Sequence, residues 1–169
     1  MSELKLRTLA ENMAQVRERI ARAAERAGQD PGQVTIVAIT KTFPPELIAQ
    51  AHTSGLRHFG ENKVQEAQAK IPQLAHLTPR PTWHLVGHLQ TNKVKAALEL
   101  FDIIHSVDSL HLAQALSQHL ERPFPVLLEV NVAGETTKGG FSLEEAPAAA
   151  EAIARLPYLE VVGLMTVAP

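Results

Sequence analysis

Val34-Thr35-Ile36-Val37-Ala38-Ile39-Thr40 runs directly into Lys41. Apolar side chains fall on both alternating faces of this run, which is the pattern of a strand covered on both sides in a parallel sheet. Pro44 and Pro45 stop the strand and open a helix, so Lys41 falls at the strand's C-terminal end. In parallel α/β folds that end is where chemistry is done. An amine held there and partly stripped of water has a lowered pKa and can condense with an aldehyde. The alternative is an ordinary loop lysine, its stem packed and its amine in water.

Working outward, the same kind of strand recurs. Strands are expected near 34–40, 56–59, 83–86, 102–107, 125–131 and 160–165, with helices near 45–54, 62–71, 90–100, 109–120 and 143–155. Short apolar strands separated by helical stretches mean βα units and a parallel sheet. Asp108 and Ser142 are suited to cap the helices that follow them. Ahead of the first strand, Leu6, Leu9, Met13, Val16 and Ile20 form one apolar stripe, which predicts a long opening helix closed by Gly28 and Pro31. Six strands fit either an open doubly wound sheet or three-quarters of an eight-stranded barrel, whose usual length is ~250 residues. A dinucleotide-binding sheet carries a glycine-rich first turn. The first turn here reads Thr40-Lys41-Thr42-Phe43-Pro44-Pro45, which favours the barrel.

Bulk properties narrow the function. With 169 residues, 45% of them hydrophobic, the chain has enough apolar side chains for one sizeable core. Its formal charge is −2 and its basic residues are scattered, which argues against a nucleic-acid surface or a polybasic membrane patch. Cysteine is absent, so disulfides and thiolate metal sites are excluded. No apolar run approaches the ~20 residues of a membrane-spanning helix. A cytoplasmic, globular protein is expected.

Other stretches carry polar groups at strand ends. Gly60-Glu61-Asn62 permits a tight turn in which Asn62 either caps a helix or faces a ligand. In Trp83-His84-Leu85-Val86-Gly87-His88 the two histidines stand four apart, but on a strand running into a loop, so a zinc face is not formed. His84 is expected to point into the barrel and to hydrogen-bond there, with His88 in the loop. Gln90-Thr91-Asn92-Lys93 opens a helix whose free N–H groups can face an anion. Ala133 to Gly140 reads as a polar lid, with phosphate binding by its N–H groups and Lys138 as the second reading. The remaining histidines, His52, His58, His76, His105, His111 and His119, show no metal-ligand spacing.

Together these stretches resemble the pyridoxal 5′-phosphate homeostasis proteins. The resemblance rests on Ile36-Val37-Ala38-Ile39-Thr40-Lys41-Thr42, on His58-Phe59-Gly60-Glu61-Asn62 with Val64-Gln65-Glu66, and on Trp83 to Lys93. It extends to Gly163-Leu164-Met165-Thr166-Val167-Ala168-Pro169. It implies a TIM-type (β/α) barrel similar to that of bacterial alanine racemase, here the first six strands with an extra N-terminal helix. Residues 1–169 would be a single barrel domain lacking its last two βα units. It further implies pyridoxal 5′-phosphate as cofactor, held as a Schiff base on Lys41, with Asn62, His84 and Met165 lining the ring. The implied role is intracellular cofactor homeostasis by a monomer without defined catalytic activity, with pyridoxal phosphate-dependent apo-enzymes as recipients.

Three departures from the family pattern stand out. Lys63 replaces a frequent aromatic residue, Lys138-Gly139-Gly140 loosens the family's lysine-containing turn, and the phosphate-gripping serine, Gly-Thr backbone and arginine of the family lie in the units not present. Weak cofactor binding and marginal stability are therefore expected. The alternative function is an amino-acid racemase or lyase of the alanine racemase barrel type. Racemisation needs a base on each side of the α-carbon. The chain's one tyrosine, Tyr158, is expected at the barrel bottom, away from Lys41.

Overall fold

The computed structural model describes residues 2–135 and 139–168. Helix α1 (Ser2–Arg26) leads into β1 (Val37–Ile39), α2 (Pro45–Thr53), β2 (His58–Glu61), α3 (Val64–Lys70) and β3 (Thr82–Leu85). Then come α4 (Val94–Leu100), β4 (Ile103–Val107), α5 (Leu110–His119), β5 (Phe124–Glu129), α6 (Ala146–Ala154) and β6 (Leu159–Met165). All pairings are parallel and the strands lie in sequence order from β1 to β6, as in the wall of a (β/α) barrel. This is the expected α/β architecture, with six strands of the barrel among the described residues.

Strand alternation sorts the side chains into two layers. Phe59, Trp83, Leu85, Ile104, Val126 and Leu128 are buried with Ile48, Leu112, Leu116 and Ile153 from the helices. The rings of Phe59 and Trp83 pack at 5.6 Å between centroids. His58, Gly60, His84 and His105 alternate with this set on β2 to β4 and so face the inner side of the curved sheet.

Helix α1 ends as its sequence predicts. Gly28 takes φ +65, the Gln29 N–H donates to Ala24 O (2.9 Å) and the Gly28 N–H to Glu25 O (3.1 Å), a Schellman closure. Leu9 and Met13 of its stripe pack on the core, while Val16 is exposed. The cap of α5 is Ser109 rather than Asp108: its hydroxyl accepts the Leu112 N–H, while Asp108 is engaged with His88. Before α6, Ser142 and Glu145 exchange hydrogen bonds in a capping box.

The first strand differs from its expected form. It is three residues long and half-buried, with Val34, Thr35 and Ile39 exposed. The reason is its position: β1 pairs only with β2, so one flank of an apolar strand has no neighbour. The opposite edge shows the same effect, since Val162 and Leu164 of β6 are 56% and 64% exposed. Both edges have the composition of internal strands.

This contrast is measurable. Truncating fully buried Leu85 to Ala should lower unfolding free energy by about 2–5 kcal/mol. Val162→Ala should change it by less than about 0.5 kcal/mol, read from denaturant midpoints at constant m.

Candidate functional site

Lys41 follows β1 in a turn that hydrogen bonds define on both flanks. The Thr40 N–H donates to Gly60 O (2.9 Å), and the Phe43 N–H closes the turn on Thr40 O (3.1 Å). Thr40 is buried, and its hydroxyl donates to Glu61 Oε1 at 2.7 Å. Thr42 adopts φ +67, a left-handed conformation that costs a residue with a Cβ about 1–2 kcal/mol. Its N–H is taken by Glu66 Oε1 at 2.5 Å.

Lys41 itself is exposed, and it makes no hydrogen bond or ion pair among the described residues. Among the described residues no further strand pairs with the open edge of β1 to cover it. Alternation through outward-turned Thr40 puts Lys41 on the face of Val37 and Ile39. Beside them Gly60 leaves room: a Cβ there would come within 2.7 Å of Ile39 Cδ1.

Beneath the turn lies a buried ionic cluster. The Lys70 ammonium, on α3, donates to Thr40 O (2.8 Å), Glu61 Oε1 (3.1 Å) and Glu66 Oε1 (2.5 Å). Glu61 is fully buried and its Oε2 has no partner among the described residues. The hydrogen bond from Lys70, then that from the Thr42 amide, holds the Glu66 carboxyl below the ordinary carboxylate pKa. Sequence reasoning singled out Glu61 and Glu66 only as motif letters and missed Lys70. The available signal was the i,i+4 spacing of Glu66 and Lys70 on a short helix.

The inner face carries a row of three histidines. His58 Nδ1 lies 3.0 Å from His84 Nε2, and His84 Nδ1 lies 2.8 Å from His105 Nε2. Burial pushes the His84 pKa down to about 4, with the charges of His105 and His58 acting in the same direction and Asp102 against them. Burial also lowers that of His105. A neutral imidazole has one N–H, so His84 donates to one neighbour and accepts from the other. His84 points inward as expected, but both its nitrogens are engaged within the row. What it offers a ligand is a ring face. Sequence spacing alone did not join His58 and His105 to it; strand parity and register do.

The rim residues distribute as follows. Asn62 is half-buried just beyond β2, the partner of β1, and Lys63 rather than Asn62 occupies the cap position of α3. Gly87 presses on the Asn62 backbone so closely that a Cβ would overlap it, and Gly87 O accepts the Ser106 hydroxyl at 2.7 Å. Met165 ends β6, opposite Glu129, on the other edge of the sheet from Lys41. Burial raises the Glu129 pKa, with Asp108 adding to the rise and His88 opposing it. His88 pairs with Asp108 at 2.9 Å, apart from the histidine row, and no group of three or more metal-ligating side chains is found among the described residues. Thr136, Thr137 and Lys138, the centre of the expected lid, lie outside the described residues. Gly140 (φ +105) brings the loop's return against Glu129 O.

The histidine row has a pH signature. Because its folded pKa lies below the ordinary value of 6.5, His84 contributes stability fully above that value. That contribution is lost as the pH falls toward about 4, since the unfolded chain takes up the proton first. Stability should drop by about 2 kcal/mol between pH 7 and pH 5 on this account. His84→Gln should flatten that part of the profile in chemical denaturation.

Comparison with known proteins places this geometry. Residues 9–169 match the family model described as alanine racemase, N-terminal domain. A pyridoxal phosphate homeostasis protein of Pseudomonas aeruginosa is 45% identical over 163 residues, covering 95% of this chain and 70% of that protein. The structure of PipY from Synechococcus elongatus with PLP bound superposes with a TM-score of 0.76 at 39% identity, covering 89% of this chain and 70% of that one. Alanine racemase from Corynebacterium glutamicum is similar in fold alone, with a TM-score of 0.67 at 18% identity over 95% of this chain and 44% of its own.

Proposed function

The chain belongs to the pyridoxal phosphate homeostasis proteins of the alanine racemase N-terminal domain family, and on that premise we propose that it binds pyridoxal 5′-phosphate through Lys41 and serves in cofactor homeostasis. The observation that carries the reading is the Lys41 turn. The amine is exposed and free of partners among the described residues, while the backbone on each side of it is fixed. The PLP-bound relative of the same fold supports it.

When bound, the cofactor would supply an aldehyde, an electrophile toward a neutral amine. For this chain's part, Lys41 presents the amine. Asn62 stands beyond the neighbouring strand, where its amide can meet a ring substituent. His84 gives a neutral ring face, and Met165 gives apolar surface from β6. A pyridoxal carrier needs these contacts but no second acid–base group.

An amino-acid racemase needs a second base on the far side of the α-carbon. Tyr158 immediately precedes β6, at the strand's N-terminal end, whereas Lys41 follows the C-terminal end of β1. Tyr158 is therefore not a partner for Lys41 within the chain, which favours the carrier role over turnover. Under this reading the recipients are pyridoxal phosphate-dependent apo-enzymes and the protein acts in the cytoplasm as a monomer. No helix among the described residues is long and apolar enough to cross a membrane.

Titration with pyridoxal phosphate tests the reading. An absorbance band at the edge of the visible should grow to saturation with the wild-type chain and be absent with Lys41→Ala, without racemisation of L-alanine. Equal bands in both proteins would remove Lys41 from the site, and turnover of L-alanine would favour the racemase alternative.

A further inference from the structure

The exposed lysine and the buried one beneath it pose a question of economy. A buried ion pair such as Lys70–Glu61 is a poor device for stability, because desolvation offsets most of its Coulombic attraction and apolar side chains of similar size do as well or better. Here the cluster even leaves one oxygen, Glu61 Oε2, buried without a partner among the described residues. What the triad does supply is aim. Lys70 holds the carbonyl oxygen of Thr40, Glu61 holds the Thr40 hydroxyl, and Glu66 holds the N–H of Thr42. The residue between Thr40 and Thr42 is Lys41, whose side chain has no anchor among the described residues. The Thr42 conformation is one that a threonine avoids unless its surroundings fix it.

We propose that Glu61, Glu66 and Lys70 are positioning residues for Lys41: through Thr40 and Thr42 they hold the turn in the conformation from which the amine meets an aldehyde. The inference rests on the cofactor reading above and deepens it. None of the three touches the reacting atoms. Their effect is on the fraction of time the amine points into the site, so they act on adduct formation per folded molecule. Two of the three sit one turn apart on α3, so that helix and the β1 turn are fixed relative to each other through one ammonium.

Glu66 is the member to substitute, because its side chain reaches the surface (26% exposed) while Glu61 and Lys70 are buried. Glu66→Ala removes the acceptor from Thr42; Glu66→Gln keeps an acceptor oxygen and removes only the charge. The full chain would be mixed with pyridoxal phosphate, and the rate of borohydride-trapped adduct on Lys41 measured across pH and normalised to the folded fraction. Acetylation of Lys41 by acetic anhydride would be followed in parallel as a measure of simple access.

The expected result is an adduct rate lower by about tenfold to a hundredfold in Glu66→Ala. Most of it should be recovered in Glu66→Gln, with acetylation unchanged. Amide exchange at Thr42 should lose protection in the alanine variant alone. Wild-type adduct rates and pH profiles in both folded variants would overturn the proposal, as would equal losses in adduct formation and acetylation. A wild-type chain that forms no adduct on Lys41 would retire the cofactor reading, and this inference with it. That outcome is distinct from a wild type that reacts and variants that do too.

Discussion

The Lys70 ammonium is where strand, turn and helix are joined: one buried cation on α3 donates to three oxygens, from the end of β1, from β2 and from its own helix. Each partner constrains the others. Glu61 is oriented by both Lys70 and the Thr40 hydroxyl, and Glu66 by both Lys70 and the Thr42 amide. Removing the cation would leave Glu61, which is fully buried, as an unpaired charge, an arrangement proteins tolerate poorly. The turn that carries Lys41 is thus tied to the interior through groups other than Lys41. The reactive side chain is left free by a scaffold that is not.

Parallel pairing sets the second constraint. Strands made to be covered on both faces and on both flanks run through the whole sheet, and β2 to β5 receive that cover. At β1 and β6 the same composition meets solvent, and Ile39, Val162 and Leu164 are exposed in consequence. The site lies at one of these edges. Lys41 is exposed beside the unpaired flank of β1, while its turn takes its order from β2 and α3 on the covered side.

Much of this was legible in the sequence, because it depends on local pattern. Alternating strands and helical stretches gave all six βα or closing strands to within a few residues, and Pro44-Pro45 placed Lys41 at a strand end. The Gly28 closure of α1 follows from one glycine. What was not legible depends on contacts across the chain. Lys70 reads as an ordinary surface lysine until the turn at residues 40–42, thirty positions earlier, folds over it. His58 and His105 join His84 only through register, since Gly60 rather than His58 stands opposite His84. The half-burial of β1 follows from having one neighbour, which an apolar run does not record. The cap of α5 moved by one residue because Asp108 is drawn to His88.

The central claim is that the free amine of Lys41, on its fixed turn, is the cofactor's point of attachment. Peptide mass mapping after borohydride reduction of the chain equilibrated with pyridoxal phosphate tests it most directly. The account predicts a pyridoxyl mass confined to the peptide that contains Lys41. A label shared evenly with surface lysines such as Lys63, Lys93 and Lys95, or found on those in place of Lys41, would contradict it.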